Sequence, residues 1–156
     1  MKNSILILTI IFSLCGVLAN AQNHVIDDSK NPQYLFVITG DTGTFEGGKL
    51  TLKGAPIVTF YAMSIQRSVG HFLVGTFVEM WEKNSSIYKS DPPNGTISVL
   101  DEKGSLGAVI DVSNPESTLN SITFDARVLE GKLPASFNAS SFFLKLNVTQ
   151  APHTQN

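Results

Sequence analysis

Through most of the chain, apolar and polar residues alternate in short runs separated by Gly, Pro, Asn and Asp. A period of two puts successive side chains on opposite faces of a strand, so that one face can enter a core while the other meets water. The clearest case is Ser121–Leu129, where Ile122, Phe124, Ala126 and Val128 fall on one side and Thr123, Asp125 and Arg127 on the other. Ser141–Val148 repeats the pattern, with Phe142, Leu144 and Leu146 together. Similar runs stand at 34–39, 44–46, 49–54, 57–64, 96–100 and 106–113. Gly47-Gly48, set between two of them, predicts a tight hairpin, because the favoured two-residue turns need positive φ. Asp101–Ser105 predicts a longer hairpin turn, Asn114–Thr118 a turn around Pro115, and Glu130–Ser140 a loop. The fold expected is all-β: a single-domain antiparallel β-sandwich or barrel of about eight strands over residues 34–148. No strand–helix–strand alternation is present, which argues against a parallel doubly wound sheet.

One passage, His71–Thr96, breaks the period. Thr76-Phe77-Val78-Glu79 fits a capping box with Thr76 as N-cap, and Phe77, Met80 and Trp81 form an apolar stripe at helical spacing. Lys83 would sit in the last turn, Asn84 in a left-handed cap, and Pro92-Pro93 would stiffen the return into the next strand. A short one-sided helix is marginal alone. The expectation is a capping helix that lays its stripe over one end of the β-fold.

The N-terminus adds a destination. Lys2, an apolar run from Ile5 to Ala19 and the small-x-small triplet Ala19-Asn20-Ala21 predict a signal peptide over residues 1–21, cleaved before Gln22. About 15 apolar residues fall short of the roughly 20 needed to span a bilayer, and Leu14 before Cys15 does not suit a lipobox. Residues 22–33 read as a polar leader and 149–156 as a tail with neither a hydrophobic anchor signal nor a retrieval tetrapeptide. The expected location is secreted, without a stable membrane anchor.

Cys15 is the only cysteine. Its loss with the signal would leave no disulfide, no cysteine nucleophile and no thiolate metal site. Losing Lys2 as well would leave 10 basic and 13 acidic residues, a net of −3. No run of Lys or Arg offers the basic footprint that nucleic acid requires.

Several segments from Phe60 onward carry a resemblance: Arg67-Ser68-Val69-Gly70-His71, Phe77-Val78-Glu79-Met80-Trp81, Asp91-Pro92-Pro93-Asn94, Val112-Ser113-Asn114-Pro115 and Val128 to Pro134. Together they resemble a family of small exported proteins that has no assigned activity, over roughly residues 34–146. The family pattern has a further arginine and a proline just before the position of Arg67. Ser64 and Ile65 stand there in this chain, so a role for that arginine does not carry over.

Candidate chemistry is sparse. The histidines are His24, His71 and His153, with no paired spacing, so no metal site and no cofactor are predicted. His71 with Asp91 is the candidate catalytic pair for a hydrolase, although no nucleophile-elbow motif accompanies it. A glycosidase would need two carboxylates in a cleft, and Glu79, Glu82, Asp91, Asp111 and Asp125 could pair in many ways. Arg67 and Trp81 are the candidate ligand-binding residues, one able to clamp an anion and the other to face a sugar or apolar group. Sequons at Asn84, Asn94, Asn138 and Asn147 are candidate glycosylation sites. The function expected is a non-catalytic extracellular binding or interaction module for a carbohydrate or protein. The alternative is a small secreted hydrolase that uses His71 with a nearby carboxylate.

Overall fold

The structure is a computed structural model and describes residues 33–63, 68–101 and 104–149. The predicted signal peptide, the leader up to Pro32, Arg67 and the tail from Gln150 lie outside the described residues.

Ten strands occur in chain order with two helices between the fifth and sixth: β1 (Gln33–Gly40), β2 (Thr42–Glu46), β3 (Lys49–Lys53), β4 (Ile57–Ala62), β5 (Val69–Leu73), α1 (Val74–Lys83), α2 (Ser85–Ser90), β6 (Asn94–Asp101), β7 (Gly104–Ser117), β8 (Ser121–Gly131), β9 (Ser136–Phe137) and β10 (Ser140–Asn147). All pairings are antiparallel, in the order β5-β4-β1-β10-β6-β7-β8-β3-β2-β9. The sheet is not closed, and its fold is sandwich-like.

The open sheet nevertheless curls tightly. β1 runs through Asp41 into β2, and β9 runs through Asn138 and Ala139 into β10. The pairing Gly40↔Ser140 therefore continues as Gly43↔Phe137. At the far rim the Asn138 amide donates to the Leu100 carbonyl and the Leu100 amide to Ala139, so β9 lies beside β6. This curl lets one buried face serve every strand: Phe36, Ile38, Leu50, Leu52, Val58, Phe60, Ile97, Ile110, Ile122, Phe124, Phe142 and Leu144 share a core.

The alternation read from the sequence is the alternation observed. In β8, Ile122 and Phe124 are buried and Ala126 and Val128 pack against the core from partly buried positions. Gly47 and Gly48 have φ of 56° and 76°, as the predicted tight turn requires.

Several boundaries differ from expectation. The strand count is ten, not about eight, because the loop expected at Glu130–Ser140 contains β9, and β5 (Val69–Leu73) runs into the passage expected to be helical. The turn expected at Asn114–Thr118 is absent. β7 runs straight through it, and the register against β8 shifts between Ser113 and Glu116. Asn114 absorbs that bulge with φ of 47°, a left-handed conformation that asparagine tolerates better than most residues.

The helical passage is a pair of helices rather than one. α1 starts at Val74 with Leu73 as N-cap and no side-chain cap bond. The capping box does not form, because Thr76 and Glu79 already lie inside the helix. Val74 enters the core and its amide is held by the Pro56 carbonyl, so tertiary packing sets the start three residues early. The stripe does what was expected of it: Phe77 and Trp81 are buried and Met80 packs at the edge. Phe77 meets Phe36 of β1 at 5.5 Å and Phe124 of β8 at 6.4 Å between ring centroids.

Candidate ligand-binding groove

α1 ends where Asn84 stops it, though not by the left-handed cap expected. Its φ is −105°. The side chain is only 3% exposed and donates from Nδ2 to the Met80 carbonyl at 2.9 Å. Its Oδ1 accepts from the Thr149 amide at 3.0 Å and the Thr149 hydroxyl at 2.9 Å. Asn84 thus ties the helix end to the chain just past β10. The sequon at Asn84 was expected in an open loop; the structure instead buries its side-chain amide between the helix end and Thr149. The other sequon asparagines are exposed: Asn94 at the first position of β6, Asn138 between β9 and β10, and Asn147 at the end of β10.

The turn at Asn84 brings α2 back across α1, so that Tyr88, seven residues after Trp81, returns to the same side. The two rings lie 4.6 Å apart between centroids. The Tyr88 hydroxyl donates to the Asn147 carbonyl at 2.8 Å, and burial pushes its phenol well above the ordinary tyrosine range. With its hydroxyl engaged, Tyr88 presents ring rather than proton chemistry.

Opposite these rings, the β7 bulge projects Ser113, Asn114, Pro115 and Glu116. Between the bulge and the helices lies a groove of about 640 Å³, floored by Trp81 and Tyr88 and rimmed by Glu82, Ser85, Lys89, Pro92 and the bulge. That volume falls within the range of small-molecule sites. Asn114 is held in place by its own side chain, which donates to Asp125 Oδ2 at 2.8 Å. Asp125 also takes Lys49 Nζ at 2.5 Å. The Lys49 ammonium, and then the Asn114 amide, hold the Asp125 carboxyl below the usual carboxylate value. The rim on this side is therefore supported by a small polar network.

The residues singled out from the sequence do not converge. Trp81 is in the groove, but as floor: it is 4% exposed, so its edge rather than its full face is available. Asp91 lines a separate depression with Gln33, Ile87, Asn94, Lys145 and Asn147. His71 is exposed on β5, opposite Thr59 of β4. Three strand spacings of about 4.8 Å separate β5 from β10 beside Asp91, so His71 and Asp91 do not meet. Asp111 accepts from Arg127 across the β7–β8 ladder. Among the described residues, no three His, Cys, Asp or Glu side chains cluster as metal ligands would.

Sequence reading missed Tyr88, Glu82's place at the rim, and the whole bulge. The seven-residue spacing of Trp81 and Tyr88 was a usable sign. The bulge had only Asn114-Pro115 to announce it, and that pair also reads as a turn.

No protein-family model, curated protein or solved structure matches the chain.

Proposed function

We propose that the protein is an exported, non-catalytic binding module whose ligand site is the groove between α1–α2 and the β7 bulge, and that the ligand is a carbohydrate. The observation that carries this reading is the groove's composition: an aromatic floor with Pro92 and Pro115 on a rim that also holds Glu82, Lys89, Ser113, Asn114 and Glu116. A saccharide offers the matching chemistry, with C–H faces for ring and proline edges and hydroxyls for amide, hydroxyl and carboxylate groups. Export rests on the N-terminal pattern of Lys2, the apolar run and Ala19-Asn20-Ala21, and calls for a mature chain that begins at Gln22. Glycans are placed on the exposed sequons, Asn94, Asn138 and Asn147.

A hydrolase remains as a second reading only through Glu82 and Glu116, which border one groove and could supply two carboxylates for glycoside cleavage. The His71 version has no comparable support, since its cross-strand partner is Thr59 and the residues two along on its own strand are Val69 and Leu73.

Trp81 is the only tryptophan, so its emission reports on the groove floor directly. Titrating the purified chain with oligosaccharides of differing composition should give a saturable change in Trp81 fluorescence, weakened at least about tenfold by Glu82→Ala or Lys89→Ala at the rim. A response that survives both variants, or no response to any saccharide, would sink the groove reading. Turnover of a bound oligosaccharide, abolished by Glu116→Gln, would replace the binding module with the hydrolase.

A further inference from the structure

The outward side of β5, β4, β1 and β10 is apolar where water should meet it. Antiparallel pairing places Leu73 beside Ile57, His71 beside Thr59 and Val69 beside Tyr61. Tyr61 in turn lies beside Leu35, and Val37 lies between Thr59 and Phe143. Val69 is 63% exposed, Leu73 56%, Met63 53%, Ile57 48%, Tyr61 46% and Phe143 41%. At on the order of 100 Å² each, those six side chains present roughly 600 Å², the upper end for the largest apolar patch of a monomer. Leu35, Val37, Thr59 and His71 fill the spaces between them and extend the surface toward the roughly 800 Å² per partner of a stable interface.

We propose that this face packs against the same face of a second copy of the chain, sheet on sheet, around a twofold axis. The charge pattern selects that occupant. β5, β4 and β1 contain no Asp, Glu, Lys or Arg, and on β10 Lys145, beside Leu35, is the one such residue, at the margin of the face away from Tyr61 and Val69. Around a twofold axis each residue meets its own kind or a close neighbour, so a charged patch repels its copy and a neutral one does not. A charged partner would find nothing on β5, β4 or β1 to recognise. Shape agrees as well, since two sheet faces about 10 Å apart interdigitate through alternate residues of the kind that stand outward here. Edge-to-edge pairing through β5 would leave the apolar face wet, so the face rather than the edge makes the contact. The groove between the helices and the β7 bulge takes no part, and the inference stands apart from the carbohydrate reading.

Light scattering and sedimentation of the purified chain from about 1 to 100 μM test it. The wild type should be a dimer in the upper part of that range. Tyr61→Lys and Val69→Lys each set like charges near the axis and should weaken association at least about 100-fold. Circular dichroism and thermal unfolding at a concentration where all are monomers should match the wild type, because both positions are exposed in the single chain. A wild type that stays monomeric at 100 μM overturns the proposal, as does a dimer that both variants leave intact. A monomer that instead sediments with phosphatidylcholine vesicles, and loses this with Tyr61→Lys, would give the face to a lipid surface and overturn it equally.

Discussion

The outward faces of the two halves of the sheet obey the same alternation and end differently. On β2, β3 and β8 the outward residues are Glu46, Lys49, Thr51, Lys53, Ser121, Thr123 and Asp125, and they pair in register as Glu46↔Lys49↔Asp125 and Thr51↔Thr123. The two threonine hydroxyls lie 2.9 Å apart. On β4 and β5 the same outward positions hold Ile57, Tyr61, Val69 and Leu73. A period of two therefore assigns a side chain to a face but does not say whether water or protein finishes that face. The first half is complete as it stands. The second is complete only with something apolar upon it.

Both halves depend on one helix from within. Phe77 touches Phe36, whose strand belongs to the apolar-backed half, and Phe124, whose strand belongs to the polar-backed half. Removing its ring should loosen the two halves from each other. Phe77→Ala is expected to cost about 3–5 kcal/mol, as large core truncations do, and to lower the midpoint of denaturant unfolding followed by circular dichroism. Trp81→Ala should fall in the same range, because Trp81 packs on Phe77, Tyr88 and Phe124. If either variant loses less than about 1 kcal/mol, the lid does not join the halves and each is stabilised by its own strands.

A smaller effect separates the lid from the strand it is tied to. Asn84→Ala removes the bond to Met80 and leaves the Thr149 amide and hydroxyl without their shared acceptor. Losing three hydrogen bonds made by a buried amide should cost about 2 kcal/mol. Hydrogen exchange should show the loss as faster opening of α2 and the end of β10, with β3 and β8 unchanged. Uniform loss across the sheet would instead mean that helix and strands open as one unit. The same variant removes the sequon. Gel mobility before and after glycosidase treatment should not differ between Asn84→Ala and wild type if burial keeps Asn84 bare.

Legibility follows the same division. The inward face could be read because burial demands apolar residues at every second position, and that demand is written locally, as at Ile122 and Phe124. The paired glycines at 47–48 could be read because only a few residue types accept their backbone angles. The helix stripe was visible for the same reason, while its start was not: Val74 joins α1 because Phe72 and Val74 both enter the core, and that depends on strands far away in sequence. The bulge at Asn114 was hidden because Asn-Pro suits a turn as well as a kinked strand, and only the register against β8 decides between them. The groove was harder still, since its two walls are the helix pair and a strand some thirty residues later. His71 and Asp91, the candidate pair, do not meet because β4 and β1 come between β5 and β10, and sequence proximity said nothing about those two strands.

The smallest effect tests the polar half on its own terms. Lys49 and Asp125 form an ion pair at 2.5 Å between half-exposed partners. Salt and water screen such a pair, so it contributes little to stability. Its sign is nevertheless fixed. The carboxyl of Asp125 is held below its ordinary 3.8 chiefly by Lys49 and then by Asn114; the stability it lends is present above that ordinary value and disappears as pH falls through the lower, folded one. The ammonium of Lys49 is held above its ordinary 10.5, chiefly by Asp125; its share is present below 10.5 and disappears as pH rises past the folded value. The pair therefore works between the acid and alkaline limbs and is lost at both ends. Asp125→Asn should flatten the acid limb of the thermal stability curve slightly and Lys49→Met the alkaline limb, and both differences should shrink at about 1 M salt, where the screening length is only ~3 Å. The control is the other half of the sheet: Thr59→Val on β4 has no ionic partner to lose and should leave both limbs where they are. If it moves them as far as Asp125→Asn does, the pH response belongs to the fold as a whole and not to the polar-backed half.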